Sequence, residues 1–174
     1  YPDKNRVVGA VLHSVEGYFS DSYRPPETMR QRGVSWQWTV EQDGAVFQHY
    51  PLSSSCWHAG TRQGNTTLVG IEHEGVKGEP LTPLQLAASK RLVHWIAEQK
   101  GWAAERHKSL FEHNEISQTT CPNGRIPWAA YIEGDGMALR DASQDEEIVI
   151  ARVLAKRAGQ LITGANATIG ARIN

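Results

Sequence analysis

Three residues could hold a soft metal ion: His13, His113 and Cys121. His113 stands eight residues before Cys121 in the stretch 111–128, FEHNEISQTTCPNGRIPW, where Pro122, Asn123 and Gly124 make the turn-rich segment that can hold a side chain on a rigid loop. Zinc accepts imidazole nitrogen and thiolate sulfur, and a catalytic zinc keeps three protein ligands with the fourth position open. A strand end carrying His13 plus one loop carrying the other two would supply such a set. The spacing alone leaves a plainer alternative open, in which the histidines are lone hydrogen-bonded groups and the cysteine is a buried free thiol.

The elements that must position these residues can be read from pattern. Residues 7–13, VVGAVLH, form an apolar, β-branched run that reads as a first strand with His13 at its lip. The polar segment after it, broken by Pro25, Pro26 and Gly33, reads as a loop with a short helix around Glu27 to Gln31. Strands are expected at 35–41 and 45–50 around Gln42-Asp43-Gly44, a hairpin signal. The segment 51–67 shows no sustained period and reads as a loop carrying Trp57 and His58. Residues 68–74, LVGIEHE, read as another strand, with Ile71 and His73 on one side and Gly70, Glu72 and Glu74 on the other.

Thr82 then starts the main core helix as N-cap, with Pro83 at its first position, Gln85 completing a capping box and Gly101 closing it. Its inward stripe is expected to include Leu84, Ala88, Leu92, Trp95 and Ile96. A strand fragment before Phe111, a short helix over 126–132 and a further helix over 144–158 complete the reading. The last stretch, GQLITGANATIGARIN, is small and polar and is expected to be mobile or part of a linker.

Composition narrows the function classes. With 174 residues, 40% hydrophobic, 21% charged and a net charge of -1, the chain is about one domain long and carries no electrostatic bias toward nucleic acid or an anionic membrane. No apolar run reaches the roughly 18 to 20 residues that a membrane helix needs, so no membrane insertion is expected, and a monomer is expected. A chain that starts on Tyr1 is expected to be a processed or shortened product, which leaves the compartment open. Cys56 and Cys121 both read as reduced. Among the seven histidines, His49, His94 and His107 read as structural or solvated, and His73 as a residue behind the site.

The order of motifs resembles the zinc-dependent N-acetylmuramoyl-L-alanine amidases of the type 2 family, which includes phage endolysins, bacterial amidases and peptidoglycan recognition proteins. The matching segments are LHSVEG at 12–17, VSWQWTVEQDGAVFQHYP at 34–51, CWHAG at 56–60, NTTLVGIEHEG at 65–75 and EHNEISQTTCPNG at 112–124. The resemblance implies an α/β fold with a central mixed sheet of five to six strands flanked by helices. It implies His13, His113 and Cys121 as the ligands of Zn2+, and Glu72 as the base that takes a proton from water and returns it to the leaving amine.

The same resemblance implies hydrolysis of the amide between the lactyl group of N-acetylmuramic acid and L-alanine in peptidoglycan. The setting would be the bacterial cell wall, reached by phage-encoded release or by secretion. The chain departs from the family's pattern at two places. Thr119 stands where many members carry a lysine two residues before the third ligand; its hydroxyl can donate to an oxyanion but brings no charge. Trp36-Gln37 stands where some members place Tyr-His, which favours Glu72 as the base and leaves Trp36 or Gln37 to shape the groove.

The CWHAG loop is expected to line the substrate cleft, Trp57 offering an apolar face and His58 a hydrogen bond to the peptide, with Asn65 on the rim. Residues 1–140 are expected to form the catalytic domain, and 141–174 a helix and polar tail leading toward a wall-binding module absent from this chain. Two other readings compete. One is a recognition module that binds peptidoglycan without cutting it; the other is a purely structural zinc, closed by His73 or Cys56 as fourth ligand.

Overall fold

The computed structural model describes residues 4–19 and 25–132. Five strands form one mixed sheet: β1 (Gly9–Ser14), β2 (Trp38–Val40), β3 (Val46–Gln48), β4 (Leu68–His73) and β5 (Leu110–Glu112), in the order β3-β2-β4-β1-β5. The central trio β2, β4 and β1 runs parallel, β5 joins β1 in parallel, and only β3 is antiparallel, as the return arm of the hairpin. The helices are α1 (Pro25–Arg32), α2 (Arg62–Thr67), α3 (Pro83–Lys100), α4 (His113–Ile116) and α5 (Trp128–Ile132). A mixed, helix-flanked sheet of five strands is the α/β architecture expected.

Register places the chemistry. Across the β1–β4 ladder Leu12 faces Ile71 and His13 faces Glu72. Paired residues on neighbouring parallel strands share a face of the sheet, so the apolar pair lies on one side and the His13–Glu72 pair on the other. Leu12 and Ile71, both fully buried, join Ala88, Leu92, Val93 and Ile96 of α3 in the core. One face of the central strands thus builds the core, and the opposite face carries His13 and Glu72.

The hairpin forms where Asp-Gly marks it, with Gly44 at φ 84° and its N–H donating to Glu41 O at 3.0 Å. Its strands are shorter than the expected 35–41 and 45–50, because residues just outside make other bonds. Gln37, fully buried, accepts from Gly70 N–H and donates to Ser54 O, both at 2.8 Å. A helix, α2, replaces the loop expected over 51–67 for its last six residues; Thr61 caps it by accepting from Gly64 N–H at 3.1 Å. A single turn and a half offers too little periodicity to read.

Helix α3 starts and stops where its caps stand, on Thr82 and on Gly101 at φ 72°. Its capping box is only half formed. Thr82 Oγ1 accepts from Gln85 N–H, but the Gln85 side chain donates instead to the carbonyls of Val40 and Glu74, 2.9 Å each, stapling the helix to the ends of β2 and β4. The stripe also differs: Leu84 and Trp95 are exposed, at 59% and 38%, and the buried face runs through Gln85, Ala88, Ser89, Leu92, Val93 and Ile96. Polar Gln85 and Ser89 face inward because each has a buried partner to meet. The helix expected over 144–158, and the tail after it, lie outside the described residues.

Candidate metal centre

His13, His113 and Cys121 come together: one ligand atom from each, all within 4.8 Å of one another. His13 arrives at the end of β1. His113 is the first residue of α4, whose start is fixed by Glu112 N–H donating to Glu115 at 2.6 Å and by the Trp128 indole N–H donating to Glu112. Cys121 is tied to α4 by Asn114 N–H donating to Cys121 O at 2.9 Å, and its own N–H donates to Thr119 Oγ1 at 3.2 Å. Its Sγ accepts from Ser14 N–H at 3.3 Å and lies 3.8 Å from His13 Nδ1.

The electrostatics suit a cation. Burial, with the neighbouring His58 and His113 rings adding to it, holds the His13 pKa well below the ordinary histidine value, so the ring is neutral and its lone pair available. Burial, opposed by a backbone hydrogen bond at Ala59, also lowers that of His113. Burial first, and the Glu72 carboxylate second, push the Cys121 thiol up to about 12. A thiol so placed ionises only when a metal takes the proton's place.

Glu72 stands beside the cluster, its Oε1 3.9 Å from His13 Nδ1. Burial pushes its pKa up to about 8. Two buried polar atoms here have no hydrogen-bond partner, Glu72 Oε2 and His113 Nε2. Uncompensated polar atoms of this kind are costly in an apolar setting, and both are explained by groups the site is built to receive. Two imidazoles, a thiolate and an adjacent unpaired carboxylate fit a zinc ion with an open position.

His73 takes no part in a closed shell. It lies on the other side of the sheet, with Nδ1 2.9 Å from the carbonyl oxygen of His13 and Nε2 2.6 Å from Ser89 Oγ, which in turn meets the Tyr131 hydroxyl at 2.8 Å. Among the described residues the ligand cluster has three members, and Cys56 is not one of them. Both cysteines are free thiols.

A groove of about 760 Å³ opens from His113 and His58 along Trp57, Val34, Asn65 and Arg62. Trp57 is 54% exposed on its wall. Asn65 lines the groove too, but its Oδ1 accepts from the N–H groups of His58 and Ala59, at 3.0 and 2.8 Å, shaping the loop that carries them. Two expectations are corrected by burial. Trp36 is buried, its indole N–H donating to Thr39 Oγ1 at 2.8 Å, and it does not line the groove. His58 does border the groove, yet both its ring nitrogens are engaged inside the protein, so neither is free to meet a peptide.

Arg125 gave no signal in the sequence, and it anchors the loop that holds Cys121. Buried to 3% exposure, its guanidinium donates to Ser14 Oγ and to the carbonyls of His73, Glu74 and Glu79 at 2.7 to 3.2 Å. The ends of β1 and β4 are thereby fastened to the segment just past the cysteine. A single arginine in a turn has no local pattern that marks it as buried.

Comparison with known proteins gives the same picture. The profile of a family described as N-acetylmuramoyl-L-alanine amidase matches residues 3–124. No curated protein matches the chain significantly. Among solved structures, an endolysin amidase from Clostridium intestinale is 22% identical, covering 75% of this chain and 84% of its own, with a TM-score of 0.65. The amidase AmiD from E. coli, solved with anhydro-N-acetylmuramic acid-L-Ala-D-gamma-Glu-L-Lys, is 22% identical over 73% of this chain and 56% of its own, with a TM-score of 0.61. An endolysin of a Thermus scotoductus bacteriophage is 22% identical over 76% and 84%, with a TM-score of 0.57. These likenesses establish a shared fold.

Proposed function

This chain belongs to the N-acetylmuramoyl-L-alanine amidase family and hydrolyses the amide that the family's name describes, and from that premise we propose that it works as a zinc enzyme on peptidoglycan, with His13, His113 and Cys121 as the metal ligands. When bound, zinc supplies a Lewis acid for the scissile carbonyl and lowers the pKa of water toward about 7. The observation that carries the reading is the Glu72 carboxylate set beside the three-ligand cluster, its Oε1 toward His13 and its Oε2 buried without a hydrogen-bond partner.

Glu72 takes one proton from the attacking water as its oxygen bonds to the lactyl carbonyl carbon. The same carboxyl then gives that proton to the alanine nitrogen as the carbon–nitrogen bond breaks, and the lactyl carboxylic acid so formed passes the water's second proton to the freed amine, leaving a lactyl carboxylate and a new ammonium terminus. Burial raises the Glu72 pKa, the direction that makes a carboxylate a better proton acceptor. Thr119, whose oxygen already accepts from Cys121 N–H, keeps its hydroxyl proton to donate toward the developing oxyanion. Trp57, exposed on the groove wall, takes the apolar face of the sugar or lactyl group, and Asn65 acts through the loop it shapes.

The setting that fits is cell-wall lysis by an endolysin or a wall hydrolase, with residues 1–140 as the catalytic domain. A module that binds without cutting has no use for a three-ligand cluster and a poised carboxylate. Purified walls treated with the zinc-loaded protein should clear and gain N-terminal alanine; chelation should stop both and added zinc restore them. Zinc bound with no alanine released from several wall types would overturn the enzyme reading.

A further inference from the structure

His58 meets the ring of a proposed metal ligand and is not itself a member of the ligand cluster. Its ring packs edge-on to that of His13, at 5.2 Å between centroids and 84° between planes, and its Nδ1 lies 3.1 Å from His13 Nε2. On its far side, Nε2 lies 3.2 Å from the carbonyl oxygen of Leu68, the first residue of β4. A carbonyl only accepts, so His58 Nε2 carries a proton.

Between the two rings one nitrogen must donate. Were it His58 Nδ1, the ring would be an imidazolium, buried to 6% exposure and touching no carboxylate, beside a second imidazole and a cation site. That arrangement is heavily penalised. The donor is therefore His13 Nε2–H, and the lone pair of His13 falls on Nδ1, the nitrogen that faces Cys121 Sγ at 3.8 Å and Glu72 Oε1 at 3.9 Å.

We propose that His58 is a positioning residue for the metal centre: through the chain Leu68 carbonyl, His58, His13 it fixes the tautomer of His13, so that Nδ1 is presented to the metal before any metal arrives. The inference rests on the zinc reading of the cluster, but it concerns which nitrogen binds, not whether an amide is cut. The fold has made room for this ring. A Cβ on Gly70 would lie 2.6 Å from His58 Cγ, so a side chain at that β4 position would displace it. Asn65 holds its backbone from the other side through His58 N–H.

Nitrogen-15 imidazole spectra of the zinc-free wild-type protein test the claim without any variant. The expected result is His13 in the Nε2–H form; a proton found on Nδ1 overturns the proposal. Zinc affinity by chelator competition supplies the second arm. His58→Phe removes the acceptor and should weaken zinc by roughly 10- to 100-fold, the usual effect of losing a ligand's hydrogen-bond partner. His58→Gln, whose carbonyl can accept from His13 while its amide donates to Leu68, should recover most of the loss. Wild-type affinity in a folded His58→Phe protein contradicts the proposal, and so does a Gln variant as weak as the Phe one. Neither readout uses wall hydrolysis, so failure of the amidase reading would leave this result standing.

Discussion

At Cys121 burial opposes ionisation first, then the carboxylates of Glu72, Glu16 and Glu112, while the Ser14 N–H favours the thiolate. The cluster therefore depends on the metal to generate its own third ligand. Cys121→Ser keeps the shape and replaces a soft sulfur with a hydroxyl that ionises far less readily. Its zinc affinity should fall by more than the roughly 10- to 100-fold typical of losing an outer partner, and wall hydrolysis should fall with it. Metal analysis of the dialysed variant beside alanine release checks both; normal zinc content in that variant would remove Cys121 from the ligand set. Cys56, by contrast, is more deeply buried than Cys121 and belongs to no cluster.

The elements that carry these residues differ in how openly the sequence declares them. The hairpin and α3 are legible because their signals are local: Asp43-Gly44 at a turn, Thr82-Pro83 and Gly101 at the helix ends. His13, His113 and Cys121 could be proposed as ligands because zinc-binding residue types stand at a strand end and on one turn-rich loop, and Glu72 because its strand motif resembles that of the family. What stays hidden is whatever depends on distant partners. The Gln85 side chain looks like half of a capping box and instead holds two strand carbonyls; His58 looks like a substrate ligand and instead turns inward to a residue 45 positions away. Arg125 is similarly mute.

Two variants test this element-level account. Gln85→Leu leaves the Val40 and Glu74 carbonyls without that donor and should cost about 1 to 3 kcal/mol of stability, read from denaturant unfolding with little change in slope. Gly70→Ala crowds the His58 ring and should cost about 1 to 3 kcal/mol by overpacking, with weakened zinc binding as a second effect. A Gly70→Ala protein of wild-type stability and zinc affinity would mean that the β4 surface tolerates the contact.

For the molecule as a whole, a metal held by His13, His113 and Cys121 would join the ends of three elements, β1, α4 and the Cys121 loop, that are brought together from opposite ends of the described chain. A ligand that binds only the folded state stabilises it by mass action, by about 2.7 kcal/mol at one hundred times its dissociation constant. Zinc should therefore raise the unfolding midpoint of the wild-type chain, chelation should lower it, and Cys121→Ser should lose most of that response. A midpoint indifferent to zinc would indicate that the cluster binds no ion in the folded state. Among the described residues no helix is long and apolar enough to cross a membrane.

In the proposed mechanism His13, His113 and Cys121 hold the metal and Glu72 moves the proton. Glu72→Gln preserves size and burial while removing the base, so zinc content and alanine release from walls should be measured on that one variant. The account predicts a zinc content equal to the wild type, with alanine release reduced about 100-fold or more, in the range that general bases contribute. Alanine released at the wild-type rate, with zinc in place, would contradict it.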